Sequence, residues 1–347
     1  MEKFLKSLQF PNGETITLID IGARWGVNPP WDKVDSNYIT YYGFEPDKEE
    51  CAILNKKTAK NITYFPIALS DIEAKSILYL TKEPGCSSIL RPNNEFLSKF
   101  YLSERWEIAK QIDIQTVPLK KILVTNNVSP DVVKIDVQGL AFQVLQGMGE
   151  EYISDSLFFE IEVEYNEMYK GEHLFPEIYN LMYKNGFILL DVCNYYAKQK
   201  NLPASNSTRG QLMFADTFYI ISIDNFYSKN LDDKIKHSKI WKIIYILSIY
   251  GQFDLALEFA LHPNSCLSEE EKNIVKKNIY SYTKLNSIRV LLFNNSFFEK
   301  LGHLVSLTGN FLQIKSRLFG WFSDNNSITF RYKKHFRYNL LNILFRK

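Results

Sequence analysis

Cysteine is scarce in this chain of 347 residues: the four present, Cys51, Cys86, Cys193 and Cys266, form no C-x-x-C pair and have no histidine at metal-ligand spacing. Their scatter argues against a disulfide framework and a structural zinc, and fits reduced thiols in a cytoplasm. Long apolar runs are also missing. Residues 1–10 carry Lys3 and Lys6 without an uninterrupted apolar stretch, and residues 243–249 are too few to span a bilayer, so neither a signal peptide nor a membrane span is expected. Charge of one sign is missing too. A net charge of +2 provides no strong positive field, so nucleic acid is not an expected partner. With 46% hydrophobic residues, 25 Phe and 21 Tyr, the composition is that of a globular protein with aromatic cores.

The length allows two domains, because single cores stop growing beyond roughly 250 residues. From residue 15 to 222, β-rich runs (15–20, 41–45, 62–69, 76–80, 131–136, 157–163, 187–192, 213–222) alternate with helical patterns (48–57, 93–100, 140–147, 174–185). That alternation predicts an α/β domain with a mostly parallel sheet over residues 1–224. Asn185-Gly186 reads as a left-handed helix cap, and residues 197–211 read as a loop. After Asp224 only helix-period patterns follow (234–250, 253–261, 268–282, 297–311), which predicts a helical module over 225–347 that serves binding or assembly.

Glycine is arranged for a different ligand from a dinucleotide. The first strand ends in Asp20-Ile-Gly22-Ala23-Arg24-Trp25-Gly26, a D-x-G-x-x-x-G turn rather than G-x-G-x-x-G. Such a turn lets a ligand approach the backbone at the C-terminal edge of a sheet. Glu45 ends the second strand, where doubly wound folds place an acid on a ribose diol. In residues 131–136, Lys134 and Asp136 share a face, and a charged pair in an apolar strand serves either a site or an internal ion pair. Glu160, Glu162 and Glu164 alternate along the next strand and project to one face. His173, in a loop before a helix, is either a base or a surface histidine.

Taken in order, the motifs D-I-G-A-R-W-G, G-F-E-P, I-A-L-S-D (67–71), C-S-S-I-L (86–90) and V-K-I-D-V-Q-G (133–139) resemble the FkbM family of methyltransferases. The resemblance continues through residues 162–175, 185–192 and 209–218. It implies a class I methyltransferase fold, Rossmann-like with one antiparallel strand, and S-adenosylmethionine as methyl donor. It also implies O-methylation of a hydroxyl on a small molecule or glycan acceptor. Carried onto this chain, the donor-binding positions are Asp20, Gly22, Ala23, Gly26, Glu45, Ala68, Leu69 and Ser70. The acids Asp136, Glu162 and Glu164, with His173, are the candidate proton acceptors, and no metal-ligand set is evident. The chain departs from the family's D-V-E-G-A-E at Gln138 and Ala141, and from its frequent L-D at Lys120. Competing readings are an NAD-dependent nucleotide-sugar enzyme, disfavoured by the glycine spacing, and a scaffold that has lost its acceptor chemistry. At the C-terminus, Tyr332, Phe336, Leu340 and Leu344 share a helical face beside a basic cluster. That face either meets an anionic membrane or protein partner, or caps the module's own core.

Overall fold

The computed structural model describes Leu5, Leu8 and residues 13–56, 60–203, 209–293 and 322–323. The expected helix at 297–311 and the basic tail at 331–347 lie outside the described residues, as do residues 204–208 of the expected loop. The strands are β1 (Ile16–Ile21), β2 (Ile39–Phe44), β3 (Ile62–Phe65), β4 (Ala68–Ser70), β5 (Ala74–Thr81) and β6 (Ile108–Pro118), then β7 (Val132–Ile135), β8 (Phe158–Glu164), β9 (Phe187–Ala197), β10 (Gln211–Ile221) and β11 (Phe322–Ser323). The helices are α1 (Lys48–Asn55), α2 (Asn94–Leu97), α3 (Leu119–Asn126), α4 (Ala141–Met148) and α5 (Glu150–Asp155), then α6 (Phe175–Lys184), α7 (Ile223–Ser228), α8 (Asp233–Ile249), α9 (Phe253–Leu261) and α10 (Glu269–Phe293).

The main sheet runs β3-β2-β1-β7-β8-β10-β9, with the two-residue β11 added beside β9. From β3 to β8 every pairing is parallel, and β10 lies antiparallel between β8 and β9. This is the class I methyltransferase arrangement, a mostly parallel sheet with one antiparallel strand. One face of its centre is wholly apolar, with Val133, Ile135, Phe159, Ile161 and Val163 buried, while the other carries Lys134, Glu160, Glu162 and Glu164 beyond Val132 and Phe158. The sheet switches direction beside β1, which places the C-terminal ends of β1, β2 and β7 around one crevice.

The expected single run at 62–69 divides in two. Pro66 has no N–H to continue a ladder, so β3 stays in the main sheet while β4 joins β6 and β5 in a separate three-stranded sheet. Helix α4 lies against that second sheet through Gly147, where an added Cβ would stand 1.9 Å from the Ser70 carbonyl oxygen. The left-handed cap at Gly186 forms as expected, with φ of +82°.

Helix α8 is apolar on nearly all sides over its second half, from Ile240 to Ile249, as a helix buried between other layers must be. Its partners are specific. Lys242 pairs with buried Asp131 at 2.8 Å and Lys239 with Asp155 at 2.6 Å, while the following Tyr250 hydroxyl donates to Glu160 Oε2 at 2.8 Å. The core is therefore continuous from the sheet to α8 and α9. Among the described residues, no helix is long and apolar enough to cross a membrane.

Candidate active site

The crevice at the ends of β1, β2 and β7 is a cleft of about 720 Å³ including its open mouth. Gly22, Arg24 and Trp25 form its floor and rim, Glu45 ends β2 beside it, and Ala68 and Leu69 form an apolar wall with Ile67. Asp136 and Gln138 close the far side. Gly22 sits at φ +87°, and a Cβ there would lie 1.8 Å from the Asp136 carbonyl oxygen, so this turn cannot be built around any other residue. The strand ends are stitched together at that point: Gly22 N–H donates to Phe44 O at 3.0 Å, and Asp136 N–H to Ile21 O at 2.8 Å.

Glu45 is 4% exposed, and its Oε1 meets the Asp47 N–H at 2.8 Å and the Arg24 guanidinium at 3.7 Å. Burial pushes its carboxyl up to about 7, against the smaller opposing pulls of the Asp47 N–H and Arg24. Such a group sits at its titration point near neutrality, and a ligand that donates to the carboxylate would favour its charged form.

Asp20 has a different surrounding. It is 2% exposed and does not line the cleft; its Oδ2 accepts from the Tyr41 hydroxyl at 2.8 Å and its Oδ1 from Lys134 Nζ at 3.2 Å. The register makes this a row across three strands, Asp20 on β1 beside Lys134 on β7 beside Glu160 on β8. Burial works to lower the Lys134 ammonium, but Asp20, Asp136 and Glu160 outweigh it and hold the side chain charged. Burial likewise raises Glu160, to about 7, despite Lys134.

Two residues further along the strands lies a second polar row. The Gln138 amide Nε2–H donates to Asp136 Oδ1 at 3.0 Å and also to Glu162 Oε1. The Tyr169 hydroxyl meets Gln138 Oε1 at 2.7 Å and the Cys86 carbonyl oxygen at 2.9 Å, and accepts from Trp106 Nε1–H at 3.0 Å. Burial, with Asp136 adding to it, holds the Glu162 carboxyl well above the usual range. Glu164 is raised in the same direction, by burial first and Glu172 second, and among the described residues neither Glu164 Oε2 nor Glu172 Oε2 has a hydrogen-bond partner.

Of the residues expected from the sequence, Gly22, Glu45, Ala68, Leu69 and Asp136 meet at the cleft. Ala23 and Gly26 shape its turn from beneath, with the Gly26 N–H on Ala23 O at 3.0 Å, and Ser70 is buried with its hydroxyl on Asp71. Glu162 reaches the cleft only through Gln138, and Glu164 lies deeper. His173 is outside the cleft wall, with its Nδ1 2.8 Å from Glu177 Oε1 and its ring stacked on Phe142. The departures from the family pattern fall on both sides of this boundary: Lys120 pairs with Glu151 at the surface, Ala141 is buried at the start of α4, and Gln138 is in the wall.

Several lining groups were not anticipated. Leu78, Leu80, Ser87 and Ser88 come from the second sheet and the segment after it, and Trp25, 63% exposed with φ +71°, rests its indole over Gly85. An added Cβ at Gly85 would stand 2.6 Å from that ring. A left-handed backbone at a tryptophan is not legible from residue type, because such a residue gains nothing from the conformation by itself.

Residues 20–189 match the family described as the methyltransferase FkbM domain. No curated protein matches the chain. Solved structures similar to it include precorrin-6y C5,15-methyltransferase from Geobacter metallireducens GS-15, 11% identical, covering 63% of this chain and 85% of that one with a TM-score of 0.30. A putative S-adenosylmethionine-dependent methyltransferase from Listeria monocytogenes is 12% identical, covering 63% and 95%, with a TM-score of 0.32. Likenesses this distant carry neither donor nor acceptor across.

Proposed function

We propose that the chain, whose residues 20–189 match the FkbM methyltransferase domain, transfers a methyl group from S-adenosylmethionine to a hydroxyl of a sugar, glycan or related metabolite. The observation that carries the donor assignment is the pairing, in one cleft, of a turn that admits no side chain at Gly22 with a buried carboxylate at the end of β2. Glu45 would receive the ribose hydroxyls, the Gly22 backbone would face the amino-acid part, and Ala68 and Leu69 would flank the adenine. When bound, the donor supplies an electrophilic methyl on a sulfonium that is already an excellent leaving group.

What remains for the protein is alignment and a place for one proton. Asp136, in the cleft wall, takes the proton of the acceptor hydroxyl. Burial pushes Glu162 toward its neutral form, and the row Asp20-Lys134-Glu160 fixes the strand ends from below. The helical residues after 225 would serve binding or assembly, in keeping with their packing on the sheet.

Donor binding tests the reading through Glu45. An acid raised from 4.5 to about 7 keeps a proton in the folded state that the unfolded chain has lost, so stability declines as pH rises across that window and is flat above it. A ligand that donates to the carboxylate must have that proton removed. Affinity for S-adenosylhomocysteine is therefore expected to be about tenfold weaker at about pH 6 than at about pH 8. Calorimetry on Glu45→Gln should show weak binding with no such dependence. An unchanged affinity and pH profile in that variant would move the ribose site elsewhere.

A further inference from the structure

We infer that Gln138 is a positioning residue, whose side-chain amide locks Asp136 and Glu162 into one carboxyl pair at the reacting end of the cleft. The inference rests on the methyltransferase reading for its role in the reaction, and on geometry for its existence. Gln138 follows β7 in a left-handed backbone, φ +55°, next to Gly139 at φ +92°. A non-glycine residue held there is strained, and such strain persists where surrounding contacts over-determine it. The contacts are present. The amide nitrogen has two donors and spends them on Asp136 and Glu162, while the amide oxygen is met by Tyr169, which Trp106 and the Cys86 carbonyl oxygen hold in turn. The Gln138 carbonyl oxygen also accepts from the Ser88 hydroxyl at 2.7 Å, so backbone and side chain are both fixed.

The residue type follows from the charges that face Glu162. Asp136 and Lys134 reach it from β7, Glu164 from its own strand and Asp216 from β10, where Asp216 and Glu162 are register partners. Cys86 and Tyr169 approach it from the loops above. Four acids against one lysine leave no room for another carboxylate. A glutamate in its place would add one and would lose both donors, whereas glutamine bridges the two acids and still accepts from Tyr169. The amide thus decides which two acids touch and how their oxygens point.

The test is vibrational and needs no acceptor. In full-length protein carrying isotope-labelled glutamate, the Glu162 carboxylic C=O stretch is identified by its loss in Glu162→Gln. Removing the amide donor in Gln138→Leu should move that band to higher frequency, and Gln138→Glu should add a further protonated carboxyl at neutral pH. Tyr169→Phe, which keeps the amide but frees its oxygen, should broaden the band. A merely structural glutamine would change the melting temperature and leave the band in place. An unmoved Glu162 band in Gln138→Leu and no added protonated carboxyl in Gln138→Glu, both folded, would overturn the inference. Calorimetry of wild type with S-adenosylhomocysteine separates the two ideas: absence of binding removes the methyltransferase reading and the role in the reaction, whereas an unmoved band removes Gln138 alone.

Discussion

Asp20→Ala is expected to destabilise the fold by about 3–5 kcal/mol, because it leaves a buried lysine without its nearest counter-charge. The side chains of Asp20 and Lys134 are 3% and 12% exposed, so solvent screens little of their interaction. Tyr41 loses its acceptor in the same step, and burial leaves its hydroxyl no route to water. Asp136 and Glu160 remain near Lys134 and keep the loss toward the lower end of that range. Urea unfolding measures it. Because replacing both partners of a buried pair by apolar groups is far milder than removing one, Asp20→Ala combined with Lys134→Met should recover most of the stability. If the single variant instead unfolds at the wild-type midpoint while donor binding vanishes, Asp20 contacts the donor directly and the buried-pair account fails.

That residue also marks where the sequence stops being informative. A strand-end acid in D-x-G reads as a ligand because its neighbours along the chain are glycines and apolar residues. In the structure its partners are Lys134, 114 residues away, and Tyr41, and the parallel registers of β1 with β7 and with β2 bring them together. Gly22 was legible for the opposite reason: its requirement is local, a turn with positive φ under a crossing backbone. Strands β7 and β8 are equally plain, since their apolar positions are all β-branched or aromatic and Glu160, Glu162 and Glu164 alternate with them.

Strand β6 went unread. Its alternation, Ile112, Ile114 and Thr116 against Asp113 and Gln115, is that of a half-exposed strand, but the polar Lys110 and Gln111 just before it hide the pattern. With it went the second sheet, and so the wall that Leu78 and Leu80 give the cleft. The acids of β8 were placed on one face correctly by alternation. Which of them approaches the cleft was not available from spacing, because it depends on Gln138 turning left-handed at the end of β7 and on Tyr169 coming down over it.

Asp136→Asn is expected to lower methyl transfer by about 10²–10⁴-fold, the usual worth of a positioned base, while donor affinity stays within a few-fold of wild type. The substitution is nearly isosteric, and the Asp136 backbone, which Gly22 crosses and Ile21 binds, is unaltered. The Gln138 amide keeps an oxygen to donate to, so the pair with Glu162 survives in outline. What disappears is the negative charge that receives the hydroxyl proton. His173 cannot stand in from its position against Glu177 and Phe142, outside the cleft wall. Burial and the Asp136 charge both push the Glu162 carboxyl up, so removing that charge lowers it and makes Glu162, held next to Asp136 by Gln138, the candidate to take over. Labelled methyl transfer into a glycan and metabolite extract, compared for wild type, Asp136→Asn and Asp136→Asn/Glu162→Gln, separates these roles. Residual activity in the single variant that is lost in the double assigns the reserve base to Glu162, whereas full turnover in Asp136→Asn would show that the proton leaves by another route.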